Sequence, residues 1–385
     1  MRLNVKNTGI AALLAALCLS SCGPKYMEPS SAEGSQTEFA ASFFRNVLSV
    51  SGKDENICVS PYSAGMAFSM VAEGALGQTR EDMLKALNGC VFKAEDLGGN
   101  DTVVVNSVNS LWIDNDFAIR DRYVSLMQKD FDALATALDF SDPSTVQAIN
   151  NWCSEHTSGR IERIIGRLSP NDVLVLANAL YFKAPWLWPF PGHATVKDVF
   201  HGSKGDTETE FMQQKRYYRY AAYQGSEMVQ LPYEGERYAM TLILPSKELG
   251  MDGLMEYMTG NNMETALSRL EPVQIMLRMP KFRMETDMQL NKTLSAMGAG
   301  SVFSQSADLG GIALGPLSLS SVVQKTFIEV DEKGSEAAAV TAAVVGLTSA
   351  PVRPAHVMNM DRPFCFMLSD VQTGRILFMG RVMNL

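Results

Sequence analysis

The chain has 385 residues, of which 46% are hydrophobic and 19% charged, an ordinary globular composition with enough apolar side chains for a large core. Its net charge of −9 at pH 7 argues against a nucleic-acid partner and favours a soluble protein. The six cysteines are widely scattered and show no CxxC spacing, so neither a disulfide framework nor a thiolate metal site is indicated.

The N-terminus predicts a leader that is cleaved rather than folded. Arg2 and Lys6 form a positively charged start, and the apolar run at 10–19 is too short to be a stable membrane anchor. The run Leu-Ser-Ser-Cys that ends at Cys22 has the form of a bacterial lipobox, in which cleavage before the cysteine leaves a thiol for lipidation. The alternative is a plain secretory signal with an incidental cysteine.

This leader predicts three parts in the chain. Residues 1–21 are the signal peptide, residues 22–35 form a flexible tether rich in Pro, Ser and Gly, and residues 36–385 form a single folded domain. Loss of the two leader cations brings the net charge near −11. We expect a monomeric bacterial outer-membrane lipoprotein, whose lipid on Cys22 holds it at the cell surface or at the periplasmic face.

Hydrophobic periodicity predicts helices and strands in irregular alternation. The first half indicates a helix at 37–48, a short strand within 56–63, a helix at 64–73 entered through a serine cap, a helix capped by Thr79 with Asp82, a strand at 103–113 and a helix at 143–165 interrupted at Gly159. The second half indicates strands at 173–182, between 195 and 245, at 273–282 and at 326–330, helices at 251–270 and 288–297, and a final hairpin of 364–368 with 376–380. Because no regular βα rhythm is present, the fold class is α+β.

A stretch of small residues follows Gly334. Residues 337–352 carry no charge, and nearly all of them are small. In a strand, alternate residues share one face. That face would be small and uncharged from Ser335 to Val345, so it could enter a protein interior without an unpaired charge. The alternatives are a permanently buried strand or an alanine-rich helix, whereas a membrane span would need a longer apolar run.

Motifs of the common enzyme classes are missing from the sequence. It contains no phosphate loop, no strand-borne GxGxxG, no HExxH and no GxSxG elbow. Its four histidines are far apart, and none has a ligand-like spacing: His156, His193, His201 and His356. We therefore expect neither an enzyme nor a cofactor, with a hydrolase assembled from distant residues as the alternative.

Several short stretches in this order resemble the serpin family, and together they span about residue 36 to the C-terminus. They are Asn-Ile-Cys-Val-Ser-Pro-Tyr-Ser at 56–63, Gly-Ala-Leu-Gly-Gln-Thr at 74–79, Ile-Asn-Asn-Trp at 149–152 with residues 157–161, Asn-Ala-Leu-Tyr-Phe-Lys-Ala-Pro-Trp at 178–186, Met-Pro-Lys-Phe at 279–282, residues 303–309, the hinge at 332–341, Asp-Arg-Pro-Phe at 361–364 and residues 377–382. Each stretch alone is weak, but the ordered set is specific.

The resemblance implies a serpin fold with three β-sheets, about eight or nine helices and an exposed reactive-centre loop at about 332–357. It also implies an irreversible suicide-substrate inhibitor of serine proteases, with cysteine proteases as a second class of target. A protease attacks the loop and forms its acyl-enzyme. The loop then enters the main sheet as a new strand, which distorts and traps the protease in a covalent complex.

The same resemblance assigns roles to individual residues. The hinge residues are Glu332, Gly334, Ser335, Ala337, Ala339 and Thr341. The shutter and breach residues are Ser60, Pro61, Ser63, Asn178, Trp186 and Gln324. Gln324 departs from the family pattern, because a histidine is usual there. Since residues 337–345 carry no charge, proline or bulky side chain, we interpret the protein as inhibitory; the alternative is a non-inhibitory serpin-fold binding protein.

The position of the attacked bond depends on the direction of counting. Counting from the hinge places it at Thr348–Ser349, whereas counting back from the C-terminal motif moves it towards Arg353. We prefer Thr348, because Arg353 precedes Pro354 and an X–Pro bond lacks the N–H that proteases use. Thr348 with its small and apolar neighbours suggests elastase-like or subtilisin-like targets.

Overall fold

The helices were located in a computed structural model, which describes residues 35–157, 159–169, 171–335 and 356–385. Eight α-helices lie in these ranges: α1 (Gln36–Ser49), α2 (Pro61–Gly74), α3 (Gly77–Ala86), α4 (Asp121–Phe131), α5 (Thr145–His156), α6 (Gly250–Tyr257), α7 (Gly260–Ser268) and α8 (Asn291–Leu294). Short 3₁₀ or π turns cover Gly192–Ala194, Ser295–Ala299 and Gly300–Phe303. None of the helices in the described ranges has the length and apolar character needed to cross a bilayer.

Fifteen strands occupy the same described ranges. They are β1 (Ile57–Val59), β2 (Val104–Asp114), β3 (Leu134–Leu138), β4 (Leu174–Pro185), β5 (Val196–Gly202), β6 (Gly205–Tyr223), β7 (Ser226–Pro232), β8 (Tyr238–Pro245), β9 (Glu271–Pro280), β10 (Phe282–Gln289), β11 (Ser321–Val330), β12 (Gly334–Ser335), β13 (His356–Asn359), β14 (Phe364–Asp370) and β15 (Ile376–Val382). Helices and strands alternate without a βα repeat, so the predicted α+β class is confirmed.

The described strands form two hydrogen-bonded sheets rather than the three that the resemblance implied. One has six strands in the order β10-β11-β12-β4-β2-β3, and the other has the path β1-β15-β14-β8-β7-β6-β9-β13 with β5 on β6. The reason for the smaller number is β6, whose 19 residues pair first with β5 and β9 and then with β7. A single long strand therefore joins what would otherwise be two separate sheets.

Helix α2 lies between the two sheets and determines how its neighbours are placed. It contacts β2 and β4 of one sheet and β15 of the other, and nearly all of its residues are buried. The predicted serine cap is Ser60, whose hydroxyl accepts a hydrogen bond from the Ser63 amide at 3.0 Å. The helix therefore begins at Pro61, three residues before its predicted start, with proline in the first turn where its missing N–H has no cost.

The predicted cap of the next helix by Thr79 and Asp82 is wrong. Helix α3 begins at Gly77, and no side chain caps it. Thr79 instead accepts a hydrogen bond from the Asp308 amide at 3.0 Å, and Asp82 accepts one from the Ser301 hydroxyl at 2.6 Å. Both side chains are thus used to hold a segment distant in sequence, which local spacing does not reveal.

The predicted helix at 143–165 is also too long, because α5 ends at His156. The Thr157 hydroxyl donates to the Cys153 carbonyl and accepts from the Ile161 amide, which turns the chain away from the helix axis. Asn150 Oδ1 then accepts hydrogen bonds from the amides of Ile164 and Ile165 at 2.8 and 3.0 Å. In the second half, the predicted helix at 251–270 is divided into α6 and α7.

A second hydrophobic cluster covers the outer face of the six-stranded sheet. Helix α5 and the segment after it supply Ile149, Cys153, Ile161, Ile164 and Ile165, which pack on the sheet residues Val108, Trp112, Val175, Ala177 and Ala179. The opposite face of this sheet packs on α2 and the main core. The centre of the sheet is therefore enclosed on both sides.

Candidate functional site: the seam between strands β4 and β11

The central feature of the six-stranded sheet is a parallel pairing that we call the seam. Strands β4 and β11 pair along it from Val175–Ser321 to Tyr181–Phe327. Past Phe327 the two strands diverge, and β12 lies between their ends, antiparallel to both. Ser335 is the register partner of Val330 on one side and of Ala184 on the other. The sheet is therefore closed along the seam and already contains an additional strand at one end.

A tight turn returns the chain from β11 into β12. The Asp331 carboxylate accepts hydrogen bonds from the amides of Lys333 at 2.7 Å and Gly334 at 3.1 Å. A Cβ atom at Gly334 would overlap the carbonyl oxygen of Ala184 and crowd the Cα of Pro185. Glycine is therefore required here because two backbones approach closely, which is a stronger constraint than the bend predicted from sequence.

Trp186 holds this turn from the side. Its backbone amide donates to the Lys333 carbonyl at 2.8 Å, and its Nε1 donates to the Asp331 carbonyl at 2.9 Å. The ring is stacked on Tyr233, with 4.4 Å between the centroids. The Tyr233 hydroxyl lies 2.6 Å from the Ser335 hydroxyl, in a fully buried environment. Burial raises the pKa of Tyr233, so it is neutral at physiological pH.

Charged contacts stabilise the same end of the seam. Lys281 Nζ lies 2.8 Å from Glu332 Oε1 and 3.0 Å from Glu210 Oε2, and the Thr195 hydroxyl donates to Glu332 at 2.7 Å. Burial opposes ionisation of Glu332, but the hydrogen bonds from Lys281 and Thr195 outweigh it and lower the pKa of the carboxyl. The two carboxylates outweigh burial at Lys281 and raise its pKa. Both groups are therefore held in their charged forms.

The middle of the seam is held by neutral groups that we call the shutter cluster: Ser60, Ser63, Asn109, Asn178 and Gln324. The Gln324 amide donates to the Ser60 carbonyl at 3.0 Å and accepts from the Ser60 amide at 2.9 Å. It also donates to Asn178 Oδ1 at 3.2 Å, across the seam. Asn178 accepts a second hydrogen bond from the Ser63 hydroxyl and donates to Asn109 Oδ1. All five residues are buried.

The segment after α5 crosses the outer side of this seam. Lys325 on β11 donates from Nζ to the Arg163 carbonyl at 3.1 Å and forms an ion pair with Glu285 at 3.0 Å. Asn150 holds the next two residues of that segment, as described above. Separation of β4 from β11 would therefore have to displace a packed cover as well as break the shutter cluster.

The structure brings most of the described candidate residues to this seam. Glu332, Gly334, Ser335 and Trp186 lie at its open end, and Ser60, Pro61, Ser63, Asn178 and Gln324 lie at its middle. Other predicted residues lie outside the described ranges: Cys22, Ala337, Ala339, Thr341, Thr348 and Ser349. The far end of the predicted loop is described from His356, where β13 pairs in parallel with β9.

Sequence reasoning assigned no role to three residues of the site. Asn109 carried a usable signal, since it is a polar residue that shares a strand face with the apolar Leu111 and Ile113. Lys281 and Tyr233 carried no such signal, because their partners Glu332 and Ser335 are 51 and 102 residues distant. Only the folded chain brings them together.

Comparisons with known proteins agree with this geometry. The family model described as serpin (serine protease inhibitor) matches residues 34–385. A serpin-like protein of Thermococcus kodakarensis is 33% identical over 87% of this chain and 82% of its own, and a serine protease inhibitor of Cyanea capillata is 30% identical over 90% and 97%.

A solved structure is similar over the same length. The thermophilic serpin tengpin in its native state superposes with a TM-score of 0.85, at 29% identity, over 91% of this chain and 93% of its own. The seam with its inserted strand, the family match and the identity of these relatives lead to one conclusion: the chain belongs to the serpin family, whose members are mostly protease inhibitors rather than enzymes.

Proposed function

We propose that this protein is an irreversible suicide-substrate inhibitor of elastase-like or subtilisin-like serine proteases, with cysteine proteases as a second class. The observation that carries the proposal is β12, which already lies antiparallel between the diverging ends of β4 and β11. Longer insertion in the same direction would replace one parallel pairing by two antiparallel ones, which are the more stable type per residue.

The described register supports a complete insertion. If the pairing of β12 continued residue by residue, residues 336–344 would lie opposite 329–321 of β11 and 183–175 of β4. Both projections reach the far end of the seam together, at Ser321 and Val175, which are partners in the closed sheet. The segment from Ser335 to Thr348 is thus long enough to fill the whole length of the seam.

The projected side chains also fit the two faces of the sheet. Ser335 points into the core towards Tyr233, so Ala337, Ala339, Thr341 and Ala343 would follow on that face. In this register Thr341 falls between Gln324 and Asn178. Its hydroxyl could replace the hydrogen bond that those two amides lose when the seam opens. The other core-facing positions are alanines, which need little additional space.

The proposed chemistry is an interrupted proteolysis. The protease nucleophile attacks the carbonyl carbon of Thr348, the Thr348–Ser349 bond breaks, and the released Ser349 amine takes the proton. The remaining ester joins the protease to Thr348. Insertion of the loop then displaces the protease and distorts its active site before water can hydrolyse the ester.

Mixing the domain from Ser35 onward with neutrophil-type elastase, subtilisin and trypsin in turn tests this proposal. We expect a complex that survives boiling in detergent, together with a released peptide that begins at Ser349 by intact mass. A different first residue would move the bond and retain the mechanism. Complete cleavage without a complex and without a gain in thermal stability would contradict inhibition and support a non-inhibitory binding protein.

We further propose that the domain is tethered by a lipid on Cys22 to a bacterial outer membrane, so that the membrane is a second partner. The leader pattern supports this, and α1 begins directly after the tether, with the Ser35 hydroxyl accepting from the Glu38 amide at 3.2 Å. Expression with a labelled fatty acid should label the full chain but not a Cys22→Ser variant. Equal labelling of both would exclude the lipid.

A further inference from the structure

Two exposed apolar side chains lie on the nine-stranded sheet, at the far end of the predicted loop. Tyr217 on β6, at 63% exposed, is the most exposed large hydrophobic side chain of the described residues, and Val357 on β13 is 59% exposed. The proposed loop insertion takes place in the six-stranded sheet. It therefore gives this surface no role.

The strand register places these side chains on one face. Val357 is the partner of Met276 on β9, and Met276 is in turn the partner of Lys215 on β6. Tyr217 lies two residues beyond Lys215, so its side chain points to the same side of the sheet. Strand spacing puts the Cα atoms of Tyr217 and Val357 about 12 Å apart, with Met276 between them. The three apolar side chains form a surface that we call the outer patch: Tyr217, Met276 and Val357.

The opposite face of the same strands is packed into the core. Ile275, Leu277 and Met358 have no exposed surface. Tyr218 directs the edge of its ring at Trp188, with 6.1 Å between the centroids. This packing fixes the backbone that carries the outer patch, so little conformational entropy is lost when a partner packs on it.

Polar side chains border the outer patch along the next row of the sheet. The register aligns Asn359 with Arg278 and Arg278 with Gln213, two residues from the row of Val357. Arg278 forms an ion pair with Asp198, and the Asn359 amide donates to Asp361 at 2.9 Å. An apolar centre with a hydrogen-bonded polar rim is typical of a protein–protein interface.

The outer patch lies within reach of a protease held at the proposed bond. Seven residues, 349–355, separate that bond from His356, and they span at most about 25 Å. On the other side, thirteen residues, 336–348, separate the bond from β12, so the protease is tied more closely to β13. A protease domain of about 220 residues has a radius of gyration of about 17 Å, so its body is wider than the shorter connection. The side of the protease from which residues 349–355 leave the cleft therefore faces β13.

From this geometry we propose that the outer patch docks the body of the protease, outside its substrate cleft, through an apolar surface on the side that faces β13. Tyrosine suits this role, because its ring supplies a large contact area while its hydroxyl remains in water. Docking speeds capture of proteases that carry such a surface, so the outer patch selects targets independently of the residue at the bond. This inference rests on the proposed inhibitory function.

The test compares the parent with a Tyr217→Ala/Val357→Ala double variant in second-order reactions with subtilisin and with neutrophil-type elastase. For the protease that reacts faster with the parent, we expect the rate constant to fall about fivefold or more. The number of inhibitor molecules consumed per trapped protease should stay the same, because the outer patch takes no part in insertion. The single Tyr217→Ala variant, which leaves β13 intact, should react about threefold more slowly or less.

Two control variants accompany these measurements. Tyr257→Ala removes a ring that is 43% exposed on α6, and it should leave the rate constant unchanged. Tyr217→Phe keeps the ring and should react at the parent rate. Because all of these side chains are exposed, the thermal midpoints should agree within about 2 °C.

Equal rate constants for the parent and the double variant with both proteases would overturn the inference, as would equal slowing by Tyr257→Ala. Cleavage without a stable complex would contradict inhibition alone, and the cleavage rate constants should then show the same difference of about fivefold. A loop that neither protease attacks would contradict both proposals. A dimer that forms in the parent and not in the double variant, with unchanged rate constants, would assign the outer patch to a second copy of the chain.

Discussion

The two regions that hold the six-stranded sheet closed, the open end and the middle of the seam, differ in chemistry. At the open end, β12 is held by ionised groups, with Glu332, Lys281 and Glu210 in one network. At the middle of the seam, the shutter cluster is held entirely by amides and hydroxyls, with Gln324 facing Asn178. The open end therefore depends on pH and salt, whereas the shutter cluster does not. The difference suggests that entry of the strand and separation of the sheet can be perturbed independently.

The largest effect is expected where the inserting segment would meet the shutter cluster. Thr341→Arg would force a charge between Gln324 and Asn178, and an unpaired buried charge costs several kcal/mol. We expect the yield of stable complex per cleavage to fall about 100-fold or more. Ala350→Arg, on the other side of the proposed bond, should leave that partition unchanged. Unimpaired trapping by Thr341→Arg would show that the projected register is wrong.

The second prediction breaks the shutter cluster itself. Asn178→Ala removes one buried hydrogen bond each from Ser63, Gln324 and Asn109, which we expect to destabilise the closed form by about 3 kcal/mol. The thermal midpoint should fall by roughly 4 °C for a domain of this size. Asn106→Ala on the neighbouring strand β2, outside the cluster, serves as the control. Similar midpoints for the two variants would show that Asn178 does not stabilise the closed seam.

The third prediction disturbs the open end through a steric overlap at Gly334. Gly334→Ala places a methyl group against the Ala184 carbonyl, so β12 must leave its position at a cost of about 2 kcal/mol. Gly192→Ala is the matched control, because a Cβ there meets no atom within 4 Å. Hydrogen exchange at the Ser335 amide should accelerate in the first variant alone. Continued protection of that amide would mean that the close approach is not maintained in solution.

The fourth prediction breaks the open end by charge. Glu332→Gln should cost about 1–2 kcal/mol at neutral pH, because Lys281 keeps a weaker acceptor. The lowered pKa of Glu332 means that its contribution is present above the usual value of 4.5 and is lost as pH falls through the folded value. Urea midpoints of parent and variant should therefore converge as the pH falls from 4.5 through the lowered pKa of Glu332. A constant difference across that range would rule out ionisation as the cause.

The smallest effect is expected from a substitution that introduces a titrating group into the shutter cluster. In Gln324→His, a buried imidazole must stay neutral, so its pKa should fall below the usual value and stability should decline as pH decreases. We expect a loss of about 1 kcal/mol between pH 7.5 and 5.5 relative to the parent. Gln324→Asn provides a control that shortens the side chain without a titrating group. Parallel pH profiles for the histidine variant and the parent would contradict this interpretation.

The described elements show how far the sequence could be interpreted. The class of most elements followed from local periodicity, as for α1 and the final hairpin of β14 and β15. The ends of α3 and α5 did not, because Thr79, Thr157 and Asn150 accept hydrogen bonds from backbone amides that lie outside these helices. The number of sheets was also beyond local reasoning, since it depends on how far β6 continues without a break.

For the site, the sequence by itself determined the ordered motifs, the small uncharged segment after Gly334 and the amide at Gln324. These are properties of residue type and spacing, which can be read along the chain. Only the tertiary structure decided that β12 lies between β4 and β11, that Lys281 faces Glu332, and that an exposed apolar patch forms across β6, β9 and β13. The physical reason is that these contacts join residues far apart in sequence, and their strength depends on burial and geometry that exist only after folding.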